Sequence, residues 1–143
     1  MEHIKKTCLL LALLTVPLVV GSIASARPND ELPPITRHVP RHPESILDGC
    51  GVDARRLIWE RLDEAISIGA PAYNDGDFEG CYRTYEAAAR RLESDLPASC
   101  QGPVRALGEG RAIARQESTS AARAWAMRDA FDGLLIVVDR TTR

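Results

Sequence analysis

The side chains with the widest chemistry in this chain are four cysteines and three histidines. Cys50, Cys81 and Cys100 lie in the body of the sequence, and so do His38 and His42. A cysteine acts as a nucleophile only as its thiolate, with a base or cation beside it. Both histidines fall in a proline-rich stretch, and Cys81 falls on an apolar stripe, so no thiol–imidazole pair is assembled. A c-type haem needs Cys-x-x-Cys-His, which is absent. A b-type haem in a helical bundle needs axial His or Met; beyond residue 26 the one methionine is Met127, and no helical stretch carries a histidine. His38 and His42 stand four apart, a spacing that holds a metal on a helix. Pro40 and Pro43 argue against a helix there. Asp75, Asp77 and Glu79 alternate around Gly76, but a calcium loop spreads its ligands over about twelve residues, whereas here a helix begins at once. They read as turn and cap residues. No catalytic residue, metal or cofactor is assigned.

The elements that position these residues are helices. Phe78, Cys81, Tyr82, Tyr85, Ala88, Ala89, Leu92 and Leu96 recur at helical period and form one apolar stripe. Asp77 is placed to cap that helix, and Pro97 ends it. A preceding stripe runs through Leu57, Ile58, Leu62, Ala65, Ile66, Gly69, Ala72 and Tyr73, from a helix predicted over Ala54 to about Tyr73 with Asp53 as its cap. Pro71 lies in its last turn. Asn74-Asp75-Gly76-Asp77 between the two is long enough only for an antiparallel return.

The stretch from Leu62 to Leu96 resembles one tetratricopeptide repeat. Ile68-Gly69 matches the family's Leu-Gly pair, and Gly76-Asp77-Phe78 its Gly-Asp-aromatic turn. Cys81, Tyr85 and Ala88 stand at its small, aromatic and alanine positions of the second helix. Ala65 replaces the family's early Trp, the second helix runs past the family's proline to Pro97, and there is a single copy. The resemblance implies a helical hairpin in which Gly69 admits the second helix closely. It also implies a ligand face on the first helix made of Asp63, Ile66, Ala70, Tyr73 and Asn74. The cations and amides of the family's carboxylate clamp are missing from that face.

The N-terminus reads as an export signal over residues 1–26: Lys5-Lys6, an apolar run from Cys8 to Val20, then Ala24-Ser25-Ala26 as a cleavage site. Pro17 and Gly21 leave it too short and broken for a membrane anchor. Removing 26 of 143 residues leaves 117, one domain's worth. The two lysines are the only ones in the chain, so sixteen arginines then face nineteen acidic residues, a net charge of −3. That mild acidity argues against nucleic acid, whose ligands present a basic face. Arg27 to Gly49 contains five prolines and few apolar residues. It reads as a disordered, Pro-rich leader, because it has little to bury against the entropy of ordering.

The folded part is predicted from residue 50 to 143. Pro103 to Gln116 is a third helix, poor in large apolar groups, with Gly108 and Gly110. A polar break at Glu117–Ser120 precedes a last helix whose face holds Ala121, Ala124, Trp125, Arg128, Phe131, Leu134, Leu135 and Val138. That helix is expected to close the core over Tyr82 and Tyr85. Geometry then selects a disulfide. Cys81 and Cys100 lie at opposite ends of one helix, roughly 22 Å apart at 1.5 Å per residue, and a bridge needs alpha carbons within about 7 Å. Cys50 and Cys81 are likewise at opposite ends of the hairpin. Cys50 pairs with Cys100, and Cys81 stays a buried free thiol.

The fold class read from the sequence is therefore all-α: four helices built on an antiparallel hairpin, behind the leader. The function expected is an exported protein-interaction module without catalytic activity, periplasmic or secreted, whose partner is another exported protein. It neither binds nucleic acid nor inserts in a membrane after cleavage. The alternative is a periplasmic carrier of a small molecule or cofactor, with a pocket between the hairpin and the last helix.

Overall fold

Apolar stripes at helical period need neighbours to cover them, and the architecture follows from how four such stripes are paired. The computed structural model of the protein describes residues 35–142. Among them are a 3-10 turn, Glu44–Leu47, and four helices: α1 Val52–Asn74, α2 Phe78–Asp95, α3 Gln101–Gln116 and α4 Ser120–Thr142. No strand occurs among the described residues. The proposed export signal, and residues 27–34 of the leader, lie outside them.

Helices α1 and α2 form the expected antiparallel hairpin. Its return is set by two local bonds and one glycine. Asp75 ends α1, Gly76 adopts φ +87°, and the Gly76 and Asp77 amides donate to the carbonyls of Tyr73 and Ala72 at 3.0 and 2.9 Å. This is a Schellman closure, in which a glycine takes the left-handed position at no steric cost. Asp77 then caps α2, its Oδ1 accepting from the Gly80 amide at 2.8 Å. Leu96 is extended, as the residue before a proline must tend to be, and α2 stops there. Two expected boundaries differ. Gly51, not Asp53, precedes the first turn of α1 and offers no side-chain cap; Asp53 sits inside that turn, where its charge suits the positive helix end. Helix α3 starts at Gln101, because Pro103 falls within a first turn whose amides have no intrahelical partner to lose.

Gly69 packs as the hairpin requires. A Cβ there would lie 2.4 Å from Tyr85 Cε1. Its neighbour Ile68 does not share the role and is 55% exposed. Helix α4 is the hub, packed against α1, α2, α3 and the 3-10 turn. Ile58, Leu62, Leu92, Leu107, Met127, Phe131, Leu134, Val137 and Val138 are almost wholly buried around it. The Tyr85 and Phe131 rings lie 5.4 Å apart, so α4 does close over the α2 surface. The small face of α3 packs close at Gly110, where a Cβ would meet the Ala130 methyl at 2.5 Å.

Cys50 and Cys100 are bridged, with alpha carbons 4.5 Å apart, and Cys81 is a buried free cysteine. Within the described part of the leader the structure departs from the expectation. Residues 35–49 are not a free tail but a strap laid across α3 and α4. Leu47 is buried in the main core. Pro40 rests on α4 at Gly133, where a Cβ would come within 2.8 Å of Pro40 Cγ and of its carbonyl. The Ser99 hydroxyl donates to the Gly49 carbonyl at 2.8 Å. Apolar content per residue is low here, as composition indicates. The disulfide, however, fixes one end and shortens the loop that must be ordered, and a charged anchor holds the other.

Candidate functional site

That anchor is Arg37. Its guanidinium donates from Nε to Asp129 Oδ1 and from Nη2 to Asp132 Oδ2, and the His38 amide donates to Asp129 Oδ2. Asp129 is 6% exposed, a carboxylate facing inward from α4. Both of its oxygens are satisfied, the condition under which burying a charge is tolerable. Asp132 also accepts from Arg128 Nε at 2.7 Å. Burial opposes the charge on Arg37, but the hydrogen bonds to Asp129 and Asp132 outweigh it and raise its pKa. The guanidinium carbon lies 4.6 Å from the centre of the Trp125 ring, within cation–π range.

Held this way, the strap forms one wall of a cleft of about 460 Å³. Ile35, Thr36, His38, Pro40 and His42 line it from the strap; Ala106, Glu109, Gly110, Ile113 and Glu117 line it from α3 and its end. Trp125, Ala126, Asp129 and Ala130 line it from α4, and the turn entering α4 and Phe78 line it as well. The walls are mostly apolar and the residues of α3 and α4 mostly small, which is what leaves the space. Polar groups are few. The His42 Nε2 atom is buried without a hydrogen-bond partner. Burial lowers the pKa of His42, and the nearby Glu109 carboxylate pulls the other way. At the entry to α4, Thr119 Oγ1 accepts from the Ala122 amide at 3.1 Å, and the Ser120 hydroxyl donates to Glu79 Oε2 at 2.6 Å. The bonds from Ser120 and Arg83 lower the pKa of Glu79.

The face implied by the tetratricopeptide resemblance is only partly assembled. Ala70, Tyr73 and Asn74 border a small depression with Cys81, Tyr85, Ala124, Trp125 and Arg128, of about 70 Å³. Asp63 is exposed and Ile66 partly buried, and neither borders it. This is the gap between hairpin and last helix where the carrier reading placed its pocket. It is too small for an organic ligand because aromatics fill it: Tyr73 lies 4.7 Å from Phe78 and edge-on to Trp125 at 5.6 Å. Cys81 and Tyr85 meet behind it. Burial pushes the Cys81 thiol up; burial and the neighbouring Cys81 push the Tyr85 phenol up to about 12. A thiol so placed is protonated at neutral pH and lacks nucleophilic character.

The larger cleft was not foreseen, because one of its walls comes from the leader. One signal was present. Asp129 stands four residues after Trp125 and two before Phe131, on a helix whose buried residues crowd around it. A carboxylate so placed requires a cationic partner. His38 and His42 do line one cleft, but no group of three metal-ligating side chains occurs among the described residues. No helix among the described residues is long and apolar enough to cross a membrane. Comparison with protein-family models, curated proteins and solved structures finds no match to this chain.

Proposed function

We propose that this protein is a small exported binding module without catalytic machinery, whose ligand is a small organic molecule seated between the strap, α3 and α4. The observation that carries this reading is the cleft itself. Its volume of about 460 Å³ lies within the usual ligand-site range of roughly 300–1,000 Å³. Apolar walls with a few polar groups are the ordinary composition of such sites. The Cys50–Cys100 bridge supports an oxidising compartment. The test is native mass spectrometry of protein taken from its own host. A bound molecule should be released on unfolding, and should be absent from Ala122→Phe, which places a ring in the cleft from a partly exposed position. Ligand-free spectra for the parent, or equal loading of the variant, count against the reading.

A second reading, a protein-interaction module, draws on a different surface. The outer face of α1 exposes Val52 at 73% and Trp59 at 45%. Exposed tryptophan is a frequent anchor of protein contacts. Capture of an exported partner that Trp59→Ser loses and Ala122→Phe retains supports this reading over the first.

A further inference from the structure

We propose that the cleft selects a small apolar molecule carrying an ammonium group, with Glu109 as its counter-ion. This rests on the binding role proposed above and adds the charge of the ligand. The cleft is lined by three carboxylates, Glu109, Glu117 and Asp129, and by no Lys or Arg. Asp129 is consumed by Arg37 and the His38 amide. Glu117 has a cation close by, since Arg123 Nε donates to its carbonyl at 3.0 Å. Glu109 forms no ion pair among the described residues and is exposed on the α3 wall. Its neighbour in charge is His42, whose burial favours the neutral ring.

The helix ends do not reverse this balance. The entry to α4 presents amides, which favour anions, but Thr119 already satisfies the Ala122 amide. The end of α3 presents carbonyls close by, and Gln116 and Ser120 are only four residues apart. Each end carries roughly half a charge of opposite sign, so the two largely cancel and the formal charge of Glu109 decides. The Trp125 ring does not add to this balance, because the Arg37 guanidinium already lies over it at 4.6 Å. A carboxylate-bearing ligand finds no Lys or Arg among the lining residues, and a neutral one gains nothing from Glu109.

The experiment uses three probes of one shape: 4-phenylbutylamine, 4-phenyl-1-butanol and 4-phenylbutanoate. Each is titrated calorimetrically into the full mature chain at pH 7.5. The amine should bind tightest, by roughly two- to fivefold over the alcohol for one solvent-exposed carboxylate within a few ångströms, and the acid weakest. Glu109→Gln should bring the amine to the affinity of the alcohol and leave the alcohol unchanged. Because Glu109 is exposed, that variant should melt with the parent. An alcohol or acid that binds as tightly as the amine, or an amine advantage that survives Glu109→Gln, overturns the charge assignment while the cleft stands. If no probe binds the parent, the cleft is no small-molecule site and both proposals fall.

Discussion

Gly69 gives the sharpest test of the helical hairpin, because two effects of opposite sign meet there. In an exposed helix, Gly→Ala stabilises by up to about 1 kcal/mol through backbone propensity. At Gly69 the added methyl would lie 2.4 Å from Tyr85 Cε1, 2.8 Å from Cζ and 3.1 Å from Cδ1. Something must move, and the ring is poorly placed to do so. Tyr85 is 2% exposed, and its ring centre lies 5.4 Å from that of Phe131. Its hydroxyl end is engaged by Cys81 and Arg128. Overpacking of this kind costs about 1–3 kcal/mol, so Gly69→Ala should destabilise by up to about 2 kcal/mol net of propensity. Gly69→Leu should lose more than Gly69→Ala. In a chain of this size 1 kcal/mol moves Tm by about 4 °C, well within reach of thermal melts followed by circular dichroism. Tyr85→Leu supplies the control, since it removes the two atoms nearest the new methyl. In that background Gly69→Ala should become neutral or stabilising, a coupling of about 1–3 kcal/mol between sites in contact. If Gly69→Ala melts above the parent with Tyr85 intact, the close approach of α1 and α2 is refuted, and the resemblance to a tetratricopeptide hairpin loses its physical basis.

Other outcomes follow from the same structure. Non-reducing peptide mapping should join Cys50 to Cys100, with Cys81 alkylated only after unfolding; Cys50→Ala/Cys100→Ala should lower stability to denaturant by about 4 kcal/mol for the loop of 50 residues it opens, in the chain-entropy view. Arg37→Ala strands the buried Asp129 and should cost about 1–2 kcal/mol, toward the low end of the range for a charged hydrogen bond because Arg37 is partly exposed; hydrogen exchange should quicken across residues 35–42 and stay unchanged in α2. His42 titrates below its ordinary value of 6.5 in the fold, so as pH falls below about 6.5 the unfolded chain takes up the proton first and stability declines; His42→Gln should flatten that part of the stability–pH curve. At the alkaline end, Tyr85 in the unfolded chain ionises near pH 10 while in the fold it holds its proton to about 12, so stability should fall above pH 10 and Tyr85→Phe should remove that loss.

What could be read from the sequence was whatever rests on period and on turn chemistry. The stripe of α2, the cap at Asp77, the return at Gly76 and the stop before Pro97 are local, and each was legible in a few neighbouring residues. The disulfide was legible one step later, once antiparallel helices placed two cysteines at one end and the third at the other. Asp53 misled because an acidic residue beside a helix start suits both the capping position and the first turn, and only backbone geometry separates them. The last helix was legible on one face only. Met127, Ala130 and Val137 are also buried, because the chain wraps α4 on several sides, and a single-stripe reading cannot anticipate that.

The strap escaped for a different reason, which also explains why it makes a site. Composition asks how much apolar surface a segment can bury on average, and residues 35–49 bury little. Their order depends on contacts that are few and individually specific: Leu47 in the core, Pro40 against Gly133, Arg37 on two carboxylates, and a covalent tie at Cys50. A segment held at separated points does not fill the surface it crosses, whereas a fifth packed helix would. The space left between its anchors is the cleft. The small residues on the facing walls, Ala106 and Gly110 from α3 and Ala126 and Ala130 from α4, are then a condition for that space as well as for close helix packing. Segments with few anchors also open at lower free energy than a core. A molecule in the cleft touches both the strap and the helices, so its binding energy should appear first as protection of residues 35–42 and only weakly as a rise in global stability.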